Sequence, residues 1–102
     1  MTENHIVVIG AGPGGYAAAF RAADLGKKVI LIDKDTSLGG VCLNRGCIPS
    51  KSLLHLSKII NDVKDIKKAG INFSSPKINI DKIHTWKDEI IGSLNSGIRK
   101  LA

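Results

Sequence analysis

Cysteine is scarce in this chain of 102 residues: there are two. A small secreted scaffold held by several disulfides is thereby excluded, because it needs cysteine at high density. Proline (three residues) and aromatics (4%) are also sparse, and charged residues stand at 24% beside 43% hydrophobic. Neither a collagenous nor a disordered chain has that balance. No long hydrophobic run exists. The longest stretch without an acid or base, Asn4 to Phe20, is broken by glycines and Pro13, so no membrane span is expected. There is no block of five like charges. A net charge of +6 would suit nucleic acid or a phosphate-bearing ligand. The bases are spread out, however, without a nucleic-acid recognition motif, and a solvated surface is the expectation. Met1-Thr2-Glu3-Asn4 carries no basic region of an export signal. A cytoplasmic setting is therefore expected, which disfavours a purely structural disulfide.

What is present is an α/β pattern. The β-branched run His5 to Ile9 reads as a buried parallel strand (5–9), and Lys28 to Asp33 as a second (28–33). Between them an alanine-rich segment, 14–25, reads as a helix stopped by Gly26. Strand, helix and strand within about thirty residues make a βαβ unit. Lys34 to Gly40 reads as a loop. From Cys42 to Ala69 the pattern is helical, with Leu53, Leu56, Ile60 and Val63 on one side and Gly70 as the stop. Ile71 to Phe73 reads as a short extended piece. A last helix, 81–100, is expected to be capped by Asp81, with Arg99 and Lys100 at its C-terminal end.

The first turn of the βαβ unit carries G-x-G-x-x-G at Gly10, Gly12 and Gly15, with Gly14 inside it. Gly10 lets the chain turn sharply out of the strand. Gly12 lacks a Cβ, so backbone can approach a pyrophosphate. Gly15 lets helix and strand pack closely. The helix N-terminus then faces the phosphates. Asp33, 18 residues after Gly15 at the end of the second strand, is placed to accept hydrogen bonds from a ribose 2′-hydroxyl. The plain alternative is a glycine-rich turn that binds nothing.

Cys42 and Cys47 enclose four residues. On an ideal helix their Cα atoms would lie roughly 8–9 Å apart, beyond the reach of a disulfide. Gly46 and Pro49 supply the means to break the helix, since Pro49 has no N–H for the Arg45 carbonyl. A distorted first turn followed by regular helix from about Pro49 is expected. Thiols at a helix N-terminus are activated, and Lys51, one turn after Cys47, adds positive charge on the same face. A redox-active disulfide, a metal site and a pair of buried thiols all remain open on this reading. His55 reads as packed or solvated, His84 and Trp86 as packing residues of the last helix, and Tyr16 as packing or bordering a nucleotide.

The glycine turn followed by Gly39-Gly40-Val41-Cys42-Leu43-Asn44-Arg45-Gly46-Cys47-Ile48-Pro49-Ser50-Lys51 resembles the pyridine nucleotide–disulfide oxidoreductases. Leu43 and the run Ile48-Pro49-Ser50-Lys51, continued through Leu53-Leu54-His55, resemble the branch that oxidises dihydrolipoyl groups. Glutathione and mercuric reductases usually have Val where Leu43 stands, and glutathione reductase has Lys where Ser50 stands. The resemblance implies an incomplete Rossmann-like fold, residues 1–102 being the N-terminal portion of an FAD-binding domain followed by long helices. It implies that Gly10, Gly12, Gly14 and Gly15 lie under the FAD pyrophosphate and that Asp33 holds the ribose. Lys34, Leu38, Gly39, Gly40, Val41 and Cys42 would line the rest, with Lys51 near the flavin. Val41 stands where many relatives have Thr. Cys42 would be the exchange thiol and Cys47 the thiol against the flavin. NAD⁺ would be the final acceptor, in a later domain, and the partners a lipoyl-bearing protein of a 2-oxoacid dehydrogenase complex and a second copy in a homodimer. The other readings are a related disulfide or mercuric reductase, and a redox-inactive nucleotide-binding module.

Overall fold

The computed structural model describes residues 4–102; residues 1–3, within the stretch read for an export signal, lie outside the described residues. The β-branched runs form β1 (Ile6–Ile9) and β2 (Val29–Ile32), joined by α1 (Pro13–Asp24). The strands pair in parallel, with Ile6 opposite Val29 and Ile9 opposite Ile32. The ladder continues past both ends: the Ile6 N–H donates to the Lys28 carbonyl at 2.8 Å and the Gly10 N–H to the Ile32 carbonyl at 2.7 Å. That last bond holds the start of the glycine turn against the end of β2.

Small side chains bring α1 close to the sheet. Ala19 on α1, Ala11 in the turn and Leu43 farther along are the buried hydrophobic residues among those described. The helix stops where its sequence stops it. The Gly26 N–H donates to the Ala23 carbonyl and the Lys27 N–H to the Ala22 carbonyl, the paired bonds of a glycine-terminated helix.

The single helix expected over 42–69 is divided. It consists of α2 (Gly40–Asn44), α3 (Cys47–Asp65) and a 3-10 turn (Ile66–Ala69). Pro49 explains the first division: it has no N–H for Arg45, so the ladder cannot cross that point. Regular helix begins at Cys47, two residues before Pro49, because a proline in the first turn gives up an N–H that has no helical partner there. Ile71–Phe73 forms no strand, and residues 71–79 are exposed. The last helix, α4 (Ile80–Leu101), starts earlier than expected. Its cap is Asn79, whose Oδ1 accepts from the Lys82 N–H at 3.2 Å, and Asp81 sits in the first turn instead.

α4 returns along α3 and reaches α2. Ile48, Leu56, Ile60 and Val63 of α3 and Ile83, Ile91 and Ile98 of α4 are half-buried. The two helices, about 28 and 33 Å long, make the molecule elongated. The radius of gyration is 20.0 Å, against about 13 Å for a compact chain of this size. Ile6, Val7, Ile9, Ile30 and Ile32 of the strands are exposed, whereas parallel strands are ordinarily covered on both faces. Among the described residues no helix is long and apolar enough to cross a membrane.

Candidate functional site

The glycines of the first turn fall into two groups. A Cβ on Gly15 would overlap the Gly10 carbonyl oxygen and stand 3.7 Å from Val8 Cγ1. Gly15 is therefore needed for the approach of α1 to β1. A Cβ on Gly12 or Gly14 would meet nothing within 4 Å. Their surroundings are open ground over the start of α1, where the first N–H groups of a helix have no helical partner.

The loop after β2 closes down on this turn. The Gly39 N–H donates to the Ala11 carbonyl at 2.8 Å. Gly40, at φ +65°, lies so near Gly12 that a Cβ would stand 2.8 Å from the Gly12 Cα. Both the left-handed backbone and the close approach exclude a side chain there. Ile9, Gly10, Ile32, Asp33 and Lys34 line a cleft of about 420 Å³ at the C-terminal ends of the strands, the edge at which open α/β sheets bind ligands. Asp33 Oδ2 is buried without a hydrogen-bond partner among the described residues. A buried carboxylate oxygen in that state is open to a donor from outside the chain. Lys34 is exposed at the rim.

Two residues past Gly40, Cys42 on α2 is joined by a disulfide to Cys47, the first residue of α3. Their Cα atoms are 4.6 Å apart, about half the separation on an unbroken helix. The shortening is made at Arg45 and Gly46, with backbone angles of φ −138°, ψ 2° and φ −128°, ψ −107°. A Cβ on Gly46 would lie 3.0 Å from the Val41 carbonyl oxygen and 3.3 Å from the Cys42 Cα. Cys42 is half-buried and Cys47 exposed; Val41 and Lys51 are exposed on either side of the couple.

The structure thus brings Gly10, Gly12, Gly39 and Gly40 together, with Cys42 next in the chain. It leaves Lys51 one turn beyond Cys47, without a hydrogen bond or ion pair that ties it to the glycine turn. His55 and His84 are exposed, so His84 is not the packing residue expected; Trp86 is half-buried. Tyr16 packs on Phe20, with ring centroids 5.8 Å apart. No cluster of three or more metal-ligating side chains occurs among the described residues.

Sequence reasoning missed Asn44. Its Nδ2 donates to the Leu38 carbonyl at 3.2 Å and to the Gly40 carbonyl at 2.9 Å, and its Oδ1 accepts from Asn95 Nδ2 at 2.8 Å. The available signal was an asparagine closing a short helix and a second one inside an otherwise apolar helical stripe.

Comparison with known proteins agrees with this arrangement. The sequence profile of the family described as "Pyridine nucleotide-disulphide oxidoreductase" matches residues 4–102. Dihydrolipoyl dehydrogenase of Buchnera aphidicola subsp. Schizaphis graminum is 52% identical over 99 residues, covering 97% of this chain and 21% of the relative. The Vibrio cholerae protein of the same name is 52% identical over 97 residues, covering 95% and 20%. The mitochondrial one of Schizosaccharomyces pombe is 50% identical over 100 residues, covering 97% and 20%. The chain spans about a fifth of the length of these relatives. With a matching profile across its described length and half its residues shared with such relatives, the chain belongs to the pyridine nucleotide-disulphide oxidoreductase family.

Proposed function

We propose that this chain is the N-terminal portion of an FAD-binding domain and contributes the nucleotide cradle and redox disulfide of an enzyme that oxidises dihydrolipoyl groups, with NAD⁺ as final acceptor bound elsewhere in the complete protein. The observation that carries this reading is the Cys42–Cys47 disulfide across a broken helix, next in the chain to glycines that pack on the Gly10–Gly12 turn. The relatives' name, dihydrolipoyl dehydrogenase, supports the substrate. A lipoyl-bearing protein of a 2-oxoacid dehydrogenase complex is the proposed partner, the complete protein a homodimer, and the setting cytoplasmic.

The residues present fit FAD. The open ground over Gly12 and Gly14 suits a pyrophosphate, and the unpartnered Asp33 Oδ2 suits ribose hydroxyls. Lys34, Leu38, Gly39, Gly40, Val41 and Cys42 would line the remainder, with Lys51 beside the flavin. When bound, FAD supplies a two-electron acceptor for the reduced couple.

The chain's own part is thiol–disulfide exchange. A thiolate of the dihydrolipoyl group attacks the Cys42 Sγ, the Cys42–Cys47 bond breaks, and Cys47 leaves as a thiolate. The second substrate thiol, having lost its proton, attacks the substrate sulfur of the mixed disulfide and Cys42 leaves. The substrate ends as a disulfide, two electrons poorer, and the couple as two thiols or thiolates, the two protons passing to them or to solvent. Attack at Cys42 is favoured because Cys47 opens a 19-residue helix, whose N-terminal N–H groups and dipole stabilise the departing thiolate.

The test is the absorbance spectrum of the complete protein. A flavin band is expected, with a new long-wavelength band on addition of a dihydrolipoyl compound. A colourless protein, or one whose Cys42–Cys47 bond resists dithiol, would overturn the reading. Asp33→Ala is expected to weaken FAD retention by about 1.5–3 kcal/mol, the range for hydrogen bonds to a charged acceptor. It should not lower the stability of the FAD-free protein, because the lost Oδ2 has no protein partner. Flavin release by equilibrium dialysis, alongside denaturant unfolding, checks both halves.

A further inference from the structure

The amide pair Asn44–Asn95 joins parts of the chain 51 positions apart, and its orientation is determined. Asn44 Nδ2 faces two carbonyl oxygens, those of Leu38 and Gly40, so the NH₂ must point at them. Its Oδ1 is then the atom presented to α4, and Asn95 must answer with its own NH₂. The consequence is an Asn95 Oδ1 that is buried without a partner. An unsatisfied buried acceptor is unfavourable. It sits, moreover, in a helical stripe where half-buried Ile91 and Ile98 show that an apolar side chain fits. Leucine at 95 would remove that orphan but leave the Asn44 Oδ1 without its donor. The asparagine is explained by what it holds.

What it holds is α2. This helix has five residues, too few to persist unaided. Asn44 ties its end back to Gly40, where it begins, and to Leu38 before it. α2 carries Cys42, while Cys47 stands on the separate α3. The register between α2 and α3 therefore decides how near the two sulfurs rest once their bond has opened.

We propose that Asn95 is a positioning residue for the Cys42–Cys47 couple. Through Asn44 Oδ1 it keeps α2 closed and in register with α3, and so holds the two thiols of the reduced form at high effective concentration, favouring disulfide. The inference rests on the reading of the couple as one that cycles between disulfide and dithiol.

The experiment is equilibration of the complete protein in dithiothreitol redox buffers, with the fraction of Cys42 and Cys47 oxidised read by alkylation and mass spectrometry. Asn95→Leu should shift the equilibrium about fivefold towards dithiol, the effect of one hydrogen bond. Its thermal midpoint should change little, since one orphaned acceptor, Asn95 Oδ1, is exchanged for another, Asn44 Oδ1. Asn44→Ala should shift the equilibrium the same way, and the double variant no further than Asn44→Ala, since both act through one contact. An Asn95→Leu protein with the wild-type redox equilibrium overturns the proposal, as do additive shifts in the double variant. A wild-type couple that no dithiothreitol ratio reduces is a different failure. It removes the redox reading of the disulfide itself, and this proposal with it.

Discussion

Cys42→Ser and Cys47→Ser are each expected to lower dihydrolipoyl oxidation by the complete protein about a thousandfold or more, the scale on which enzymes lose rate when a covalent participant is removed. The two variants should fail differently. Without Cys42 there is no sulfur at the position where exchange begins, and the Cys47 thiol has no partner to close on. Without Cys47 the Cys42 thiol can still exchange with an oxidised lipoyl disulfide, forming a mixed disulfide as one lipoyl sulfur leaves as a thiolate, but the chain holds no disulfide for a dihydrolipoyl thiolate to open. Only the protein lacking Cys47 should also lack the long-wavelength band, which the proposed function would place on a Cys47 thiol against the flavin. Retention of FAD should change little in either, because serine keeps nearly the size of the cysteine it replaces and the glycine turn and Asp33 are untouched. Steady-state turnover and spectra recorded on the same preparations decide the matter. A serine variant with wild-type turnover would remove the disulfide from the mechanism.

Gly15→Ala carries the largest expected cost to folding. The added methyl would occupy the place of the Gly10 carbonyl oxygen, an atom of the backbone that cannot swing aside. That backbone is already held, since the Gly10 N–H is bonded to the Ile32 carbonyl. Either α1 moves away from β1 or the ladder breaks, at about 3 kcal/mol, the upper end of ordinary overpacking. Ala11, Ala19 and Leu43 are the buried hydrophobic residues of this part of the protein, so little else is available to offset that loss. Gly12→Ala is the control. Gly12 has φ −73° and ψ −176°, a conformation open to any residue, and its Cβ would meet nothing. Stability should stay within about 0.5 kcal/mol, while FAD retention falls about tenfold or more as the methyl takes the ground reserved for phosphate. Denaturant midpoints and flavin content measured on both variants separate the two roles. Equal stability of the Gly15→Ala and Gly12→Ala proteins would contradict the packing argument.

The parts of the fold legible in the sequence were those governed by neighbours in the chain. The β-branched runs around Val7 and Ile30, the alanines before Gly26 and the stop at Gly70 each act within a few residues, and their elements lie close to where they were expected. The divided helix was foreseeable only in part. Pro49 announces a break, but its place depends on the contact of Gly46 with Val41 and Cys42, which requires the turn to be built first. The cap of α4 went to Asn79 because Asn79 and Asp81 are both competent, and position along the chain does not choose between them. Farthest from view was Asn95. Its partner lies 51 residues away, and no local pattern expresses a bond of that span. The exposure of His84 belongs to the same class, since it depends on which side of α4 meets α3.

The Gly39–Ala11 hydrogen bond and the Gly40–Gly12 contact are both made by main-chain atoms. The spacing between cradle and sulfurs therefore starts from main-chain contacts, with the Asn44–Asn95 pair adding side-chain support along α2. Surfaces on either side can drift, exchange charge or acquire new recognition features while that spacing stays constant. Divergence among proteins built on this segment would then be written in the residues outside that frame, while the frame itself stays put.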